Sequence, residues 1–269
     1  MHTSEPKQKR SPVQDRMVNR KPGETLQEEL SELYAEFSYF MGAGILIIIL
    51  AAISFILIAL GYSITLVLAA QIIVGFASVG LGIRRLIKHG GRLKRGLDAE
   101  IAVGQELHAL ESMGYHIIHD VPSLGRRGAN IDHVLIGPSG VYAIETKYKT
   151  KEGDHRLDYN GQTISVCGHP LRDSPIPQAR AVAHDLELII KENTGLVHKA
   201  IPVVLYPGWF VNNGQLKLTA GHVNVLSDKH FVLLVKNLNM RVLPPADVAS
   251  IRAGILRHAE GTRKNGLHK

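Results

Sequence analysis

Three charged residues stand at the ends of two apolar runs in the stretch Ile131–Lys147, I-D-H-V-L-I-G-P-S-G-V-Y-A-I-E-T-K. Asp132 opens the first run, and Glu145 and Lys147 close the second. Charged side chains are disfavoured in buried strands, so these three need either solvent or a chemical role. The G-P-S-G sequence at 137–140 is typical of a turn and predicts that the two runs form a β-hairpin.

The predicted hairpin brings these charges to one edge of a sheet. Glu145 and Lys147 are two residues apart, so both project from the same face of a strand. Asp132 begins the paired strand and therefore lies beside the end of the second one. Two neighbouring carboxylates repel unless a cation lies between them, and oxygen ligands suit Mg²⁺ or Mn²⁺. A lysine beside such a metal positions water and stabilises charge on a phosphate, so the pattern indicates metal-dependent phosphodiester cleavage.

The segments around the hairpin alternate between helical and strand patterns. Apolar residues recur at helical spacing from Ile101 to Met113, and Pro177–Glu192 has the same spacing with proline in its first turn. Residues 148–161 are polar and are expected to form a loop. Further helices are predicted near 228–237 and 245–259, and strands at Tyr115–Val121, Ile131–Ile136, Val141–Lys147, Gln162–Val166, Ala200–Tyr206 and His222–Leu226. This order predicts a three-layer α/β domain with a mixed sheet.

Two uncharged apolar runs precede this domain. They extend from Phe37 to Leu60 and from Ile64 to Ile83, and residues 37–83 contain no Lys, Arg, Asp or Glu. Each run has the roughly 20 residues that a helix needs to cross a bilayer core of about 30 Å. The connector at 61–63 leaves room only for a tight turn. The sequence therefore predicts a transmembrane helical hairpin, with two helices buried in a soluble core as the alternative.

The net charge of +7 comes from the flank of these runs rather than from the globular part. Residues 84–95 hold six Lys/Arg and no acid, whereas residues 96–269 hold 19 Lys/Arg and 17 Asp/Glu. Residues 1–36 hold a further six Lys/Arg, and the connector holds none. By the positive-inside rule, both ends of the hairpin are expected to face the cytoplasm. The basic flank would lie against anionic headgroups, or it is simply a stop-transfer flank.

Several other kinds of site are excluded or disfavoured by the sequence. The single cysteine, Cys167, rules out an internal disulfide and a cysteine-based zinc site. The histidines show no paired ligand spacing, and His133 is expected to be structural because it points to the face opposite Asp132. The turn at 137–140 lacks the spacing of a serine hydrolase and of a phosphate loop. Basic residues near the hairpin either contact phosphates or are solvated: Arg126, Arg127, Lys149, Lys151 and Arg156.

The order of these motifs resembles the nuclease-related domain, NERD, of the PD-(D/E)xK nuclease superfamily. The resemblance covers roughly residues 94–240 and begins at 96–100, G-L-D-A-E, similar to the family's G-x-x-G-E helix start. It continues through His119-Asp120 and Asp132 to Glu145-Thr146-Lys147, with the spacing D-x12-E-x-K. It ends at 174–180, S-P-I-P-Q-A-R, similar to the family's N-P-x-x-Q-A helix start. Ala99 replaces the usual glycine and Ser174 the usual asparagine, and neither change removes a proposed catalytic group.

The resemblance implies a restriction-endonuclease-like α/β/α fold and a set of site residues. Asp132 and Glu145 would be the ligands of Mg²⁺ or Mn²⁺, and Lys147 would position the attacking water. Glu100 would add an acidic group from the first helix of the domain, and Gln178 a polar contact from the later helix. The implied partner is nucleic acid, with DNA as the expected substrate.

Five segments are predicted along the chain. They are a cytoplasmic, partly disordered segment at 1–36, a transmembrane hairpin at 37–87, a basic juxtamembrane linker at 88–95, a NERD-like nuclease domain at 96–240, and a C-terminal helix and tail at 241–269. The expected location is a bacterial inner membrane. The protein would be multi-pass, with both termini and the nuclease-like domain in the cytoplasm.

A second function class stays open, a catalytically silent module that is tethered to the membrane and binds nucleic acid or protein. The near-neutral charge of residues 96–269 favours it, since sequence-independent DNA binding neutralises many phosphates. The intact Asp132, Glu145 and Lys147 favour the enzyme, because a scaffold has no use for two carboxylates that repel each other. A lipid-acting enzyme is a third interpretation, with only the membrane anchor in its favour.

Overall fold

The computed structural model describes residues 21–124, 130–150, 156–214, 218–238 and 240–266. The chain divides into two compact units, of which one spans Thr25–Leu97 and the other contains the chain from Asp98 onward. The predicted disorder at the N-terminus concerns residues that lie almost entirely outside the described ranges. Arg126, Arg127 and Lys151 also lie outside them.

The first unit consists of two long apolar helices. Helix α1 spans Glu24–Ala59, and helix α2 spans Thr65–Leu107, so that its last residues belong to the second unit. Gly61 adopts a φ of 96° in the connector, a conformation that glycine reaches without steric cost. The basic residues 88–95 lie inside α2, which continues without interruption from the apolar run into the second unit.

Polar side chains join the two helices of the first unit. Ser54 Oγ donates a hydrogen bond to Gln71 Oε1 at 2.9 Å, and Ser78 Oγ donates to the Phe40 carbonyl at 3.1 Å. Both helices are long and apolar enough to cross a membrane, and only 17% and 11% of their most apolar windows are buried. The predicted helical hairpin is present, and its insertion into a membrane stays a prediction.

The second unit is an α/β domain. Its helical elements after α2 are a 3₁₀ helix at His108–Met113, α3 at Ile176–Thr194, α4 at Asp228–Asn237 and α5 at Pro245–Gly266. Its strands are β1 (His116–Pro122), β2 (Asn130–Gly137), β3 (Gly140–Thr146), β4 (Arg156–Tyr159), β5 (Ile164–Val166), β6 (His169–Pro170), β7 (Ala200–Leu205), β8 (Phe210–Asn213) and β9 (Asn224–Leu226).

The main sheet has the strand order β1-β2-β3-β7-β9 and is mixed. β1, β2 and β3 pair antiparallel, while β7 and β9 add in parallel after β3. The parallel step from β3 to β7 is made through α3, as a parallel connection requires a crossover. The predicted mixed sheet is confirmed.

Helices cover both faces of the main sheet. On one face, α3 and α5 pack over β1, β2 and β3 in a core that includes Val134, Ile136, Ala143, Val182, Leu186, Ile251 and Ile255. On the other face, the end of α2, the 3₁₀ helix and α4 pack in a core that includes Val103, Leu107, Leu135, Tyr142, Ile144 and Phe231. The three-layer α/β/α architecture expected from the sequence is therefore confirmed.

A second, smaller sheet stands beside the main one, with the strand order β6-β5-β4-β8. Its core packs Leu157, Ile164 and Val211 with the buried Trp209. The prediction that residues 148–161 form only a loop is wrong for β4, and β6 and β8 were not predicted. These strands have between two and four residues, too few for an alternating pattern to stand out from a polar loop.

A buried cluster of hydroxyl groups closes the hairpin of β2 and β3. Tyr115 and Tyr142 each place their hydroxyl 2.6 Å from Ser139 Oγ. The Tyr115 ring lies directly over Gly137, where an added Cβ would meet ring carbons at 2.1–2.5 Å. Only glycine fits beneath the ring at this position, so the turn that holds the two strands together depends on this close approach.

We expect Gly137→Ala to destabilise the second unit by about 1–3 kcal/mol, because the new methyl group displaces the Tyr115 ring. Trp209 is the only tryptophan in the chain and is 4% exposed, so its fluorescence reports the thermal unfolding of this unit in the full-length protein. Gly221→Ala is the matched control, since nothing lies within 4 Å of its added Cβ. Equal Tm values for the two variants would contradict the tight packing at Gly137.

Candidate active site

The candidate site residues lie where β2 begins and β3 ends. Asp132 is the third residue of β2, and Glu145 is the last but one of β3. The antiparallel register pairs His133 with Ile144, which sets Asp132 beside Glu145. The predicted fold-back of the hairpin is confirmed, and it brings both carboxylates to one end of the main sheet.

The Glu145 carboxylate is held by donors from two different elements. Lys147 Nζ and Gln178 Nε2 each donate to Glu145 Oε1 at 2.6 Å. Lys147 Nζ also donates to Gln178 Oε1 at 3.1 Å, which closes a network of three side chains. The Glu145 side chain is 3% exposed and that of Lys147 is 32% exposed, so the carboxylate is withdrawn from water while the ammonium reaches it.

Backbone structure fixes the two donors. Lys147 follows β3 directly, and its N–H donates to the Leu205 carbonyl at 2.9 Å, so pairing with β7 extends to this residue. Gln178 lies in the first turn of α3, next to Ala179, whose N–H donates to the Pro175 carbonyl at 2.9 Å. Both donors are therefore placed by regular hydrogen bonding rather than by a free loop.

The Asp132 carboxyl lies in a setting that disfavours its charge. Its Oδ2 accepts a hydrogen bond from the Thr146 N–H at 2.6 Å. Loss of hydration raises the pKa of Asp132 well above its ordinary value, and the charges of Glu145 and Glu100 raise it further. The Thr146 N–H and the Lys147 ammonium oppose this rise without cancelling it. Burial also raises the pKa of Glu145, again against the opposing charge of Lys147.

Five site residues were predicted from the sequence, and the structure connects them to one another. Asp132 and Glu145 are strand neighbours, and Lys147 and Gln178 both contact the Glu145 carboxylate. Glu100 lies in α2, is 6% exposed, and is close enough to raise the pKa of Asp132. The grouping follows from the sheet register and from the position of α3, and the chemical roles of the five residues stay a prediction.

The pair Asp132 and Glu145 fits a divalent cation. Glu145 Oε2 is buried and has no hydrogen-bond partner among the described residues, and a buried carboxylate oxygen without a partner is costly. In the part of the chain that the structure describes, no group of three or more His, Cys, Asp or Glu side chains is arranged to hold a metal. Mg²⁺ commonly takes only one or two carboxylates and completes its shell with water and substrate phosphate oxygens. A site of two carboxylates is therefore sufficient for Mg²⁺ or Mn²⁺.

A cavity of about 690 Å³ opens beside this network. Lys147 and Gln178 form the wall that it shares with the carboxylate pair. The remaining wall includes Tyr148, Lys149, His169 and Arg172, which come from the segment after β3 and from the small sheet. Lys149 was among the basic residues considered from the sequence. His169 and Arg172 were missed because β6, which contains His169 and precedes Arg172, has only two residues and is too short to predict.

The face of the sheet opposite Asp132 holds a buried pair of histidines. His119 and His133 place their Nδ1 atoms 2.7 Å apart, so one ring donates this hydrogen bond and the other accepts it. Burial lowers the pKa of His119 to about 4 and lowers that of His133 well below its ordinary value. His133 is fully buried and belongs to the packing of the sheet, on the face that the sequence indicated.

The chain was compared with known protein families, curated proteins and solved structures. Residues 95–207 match the family model described as NERD, nuclease-related domain. The matched range contains the last residues of α2 with Glu100, the whole β2–β3 hairpin and the first turn of α3, and so includes all five site residues. No curated protein and no solved structure matches the chain.

We expect Asp132→Asn to raise the metal-free Tm at pH 8. An asparagine keeps an acceptor for the Thr146 N–H but removes a charge that loss of hydration and two neighbouring carboxylates disfavour. Each kcal/mol of relief corresponds to roughly 2–4 °C in a domain of this size. Asp158→Asn is the control, because a hydrogen bond from Asn212 lowers the pKa of Asp158 and favours its charge. A Tm gain in the control that equals the gain in Asp132→Asn would contradict this account.

The buried histidine pair is expected to make the second unit sensitive to acid. Because its folded-state pKa lies below the unfolded value, His119 contributes stability that is present above about pH 6.5 and is lost as the pH falls towards 4, by about 3 kcal/mol. His119→Gln should flatten the decline of Tm between these pH values, as followed by Trp209 fluorescence. His184→Gln, at an exposed position of α3, should leave the decline unchanged. Parallel curves for wild type and His119→Gln would show that another group causes the acid sensitivity.

Proposed function

We propose that the protein hydrolyses phosphodiester bonds in DNA with the help of a divalent metal, from the premise that residues 95–207 match the family model of the nuclease-related domain. The observation that carries the proposal is the buried Glu145 carboxylate, which lies beside Asp132 and accepts hydrogen bonds from Lys147 and Gln178 through one oxygen only. That arrangement leaves its second oxygen for a further partner, and a cation is the partner that would also relieve the repulsion with Asp132.

Asp132 and Glu145 would hold Mg²⁺ or Mn²⁺. The metal, when bound, would supply Lewis-acid polarisation of a phosphoryl oxygen and lower the pKa of a bound water. Glu100, whose charge reaches Asp132, adds negative potential that favours a cation at this place. In the protein without metal, the raised pKa values of the two carboxyls mean that they release protons when a metal binds, so metal affinity increases with pH.

Lys147 has the geometry for two tasks at the reacting phosphate. Its ammonium is fixed between Glu145 and Gln178, and the Lys147 side chain is 32% exposed and lines the cavity, so it can donate a further hydrogen bond in that direction. In that position it would orient the attacking water and stabilise the negative charge that develops on the phosphate. Gln178 would act as a positioning residue, because it contacts both Lys147 and Glu145 and is itself fixed by α3.

We propose further that the helices of the first unit anchor the enzyme in a bacterial inner membrane, with the α/β domain in the cytoplasm. The support is the length and apolar character of α1 and α2 together with the six Lys/Arg of residues 84–95. Arg85 and Glu36 form a 3.0 Å ion pair between the two helices at the end where this basic flank begins. Charged side chains at that end of the helices are compatible with a location among the lipid headgroups of the membrane.

The proposed activity is tested by incubating the full chain in detergent with plasmid, linear and single-stranded DNA and with RNA, in Mg²⁺, Mn²⁺ or EDTA. We expect DNA cleavage that needs metal, that Asp132→Asn abolishes, and that Lys147→Ala slows by about 10²–10³-fold, the usual cost of losing one electrostatic stabiliser. Lys199→Ala is the matched control, since Lys199 pairs with Glu187 at 2.8 Å outside the site.

Metal binding can also be tested independently of catalysis, by measuring thermal stability. Mg²⁺ should raise the Tm of wild type, and it should not raise that of Asp132→Asn, because a ligand that binds only the folded state stabilises it. A folded wild-type protein that cleaves no nucleic acid and shows no Tm response to Mg²⁺ or Mn²⁺ would contradict the enzyme and favour the catalytically silent binding module.

A further inference from the structure

We infer that this site takes DNA as a single strand, with one unpaired nucleotide in the cavity beside Lys147 and its base stacked on Tyr148. The inference rests on the proposed function for the identity of the ligand, DNA. It goes beyond that function by stating that the DNA is single-stranded and by naming the residues that would contact the unpaired nucleotide. Four observations carry it, namely the place and size of the cavity, the exposure of Tyr148, the position of the cationic residues, and the fixed backbone of the wall.

The cavity has the place and the size for one nucleotide. It shares Lys147 and Gln178 with the network that holds Glu145, so a nucleotide inside it has its phosphate next to the proposed metal ligands. Its volume of about 690 Å³ lies within the range of roughly 300–1,000 Å³ that is usual for pockets of small organic ligands. A base can enter such a pocket only when it is not paired and stacked within a duplex.

Tyr148 is the aromatic residue placed to receive that base. It follows Lys147 directly, lines the cavity, and is 46% exposed, so part of its ring surface faces solvent. Proteins that bind single strands stack bases on such side chains without reading their sequence. In a duplex the faces of the bases are already covered by their neighbours, so an exposed ring at this position offers nothing to paired DNA.

The charge distribution also favours a single strand. Lys149 and Arg172 line the cavity with Lys147, and among the described residues of its wall Asp173 is the acidic one. Residues 96–269 carry 19 Lys/Arg against 17 Asp/Glu, so this part of the chain has little net positive charge with which to bind the many phosphates of a duplex. Binding of duplex DNA without sequence preference depends on neutralising many phosphates, whereas a few cations at one cavity suit a short stretch of one strand.

The wall that carries Tyr148 is fixed to the core of the small sheet. Trp209 donates from its indole Nε1 to the Lys149 carbonyl at 3.2 Å, and the Trp209 side chain is buried among residues of that core. The backbone on the far side of Tyr148 is thus held in place before any ligand binds. A preorganised wall loses less entropy on binding than a loop that must first order.

The test measures binding in the full-length Asp132→Asn protein in detergent, where hydrolysis is blocked. The probes are a short fluorescein-labelled oligothymidine strand and a labelled DNA duplex of equal length, titrated by fluorescence anisotropy. We expect the single strand to bind more tightly. Adding Tyr148→Leu should weaken single-strand binding by roughly 5- to 150-fold, whereas Tyr148→Phe should retain it, because phenylalanine keeps the stacking surface.

Two further variants separate stacking from charge and from surface effects. Arg172→Gln should reduce the slope of log affinity against log salt by about 0.7, the value for one phosphate contact on a single strand. Phe210→Leu removes another exposed aromatic ring, which lies in β8 and does not line the cavity, and it should leave binding unchanged.

The inference would be overturned by duplex binding as tight as single-strand binding, by the absence of binding to either probe, or by equal affinities of Tyr148→Leu and Tyr148→Phe. These outcomes differ from a failure of the proposed function. If wild type binds the strand through Tyr148 but hydrolyses nothing with Mg²⁺ or Mn²⁺, the enzyme proposal fails while the assignment of the single-strand site stands.

Discussion

The burial of the Glu145 carboxylate at the end of β3 is the constraint on which the site depends. A carboxylate with so little access to water must be compensated, and Lys147 and Gln178 supply this through a single oxygen at 2.6 Å each. Lys147 directly follows β3 and Gln178 lies in the first turn of α3, so α3 has to begin next to the end of β3. The apolar face of α3, with Val182 and Leu186 in the core, secures that position. Hydrophobic packing thus determines where the polar site lies.

The two faces of the β2–β3 hairpin differ in the kind of side chain that they bury. One face collects the charges of Asp132 and Glu145 at its end and covers the remainder with α3 and α5. The other face is filled by apolar side chains, by hydroxyl groups around Ser139 and by the neutral pair of His119 and His133. The polar groups of this second face bond to one another and need no charge. The destabilising charges are therefore confined to one end of one face, as is usual where a site is held in a rigid scaffold.

The hairpin, the two apolar helices and the three-layer order could be predicted because each rests on a local signal. Alternation and a turn sequence define β2 and β3, and long uncharged runs define α1 and α2. The small sheet could not be predicted, since β4 has four residues and finds its parallel partner, β8, more than 50 residues later, with Leu157 opposite Val211. His169 and Arg172 reach the cavity only through this sheet. What the sequence could not supply was therefore the far wall of the site, which depends on long-range pairing between short strands.

If the site binds DNA as proposed, the charge of the chain limits how strongly electrostatic attraction can contribute. If the helical hairpin is inserted in a membrane, the six Lys/Arg of residues 84–95 lie at anionic headgroups, and they are then neutralised by lipid rather than by nucleic acid. Among the described residues, attraction for DNA would then depend on the cations at the cavity, such as Lys149 and Arg172. Affinity built on so few phosphate contacts is modest and depends only weakly on salt. Stacking on Tyr148 and a metal between Asp132 and Glu145 would then supply most of the binding free energy. Recognition would therefore depend on an unpaired base and a correctly placed phosphate rather than on the long-range electrostatic field of the protein.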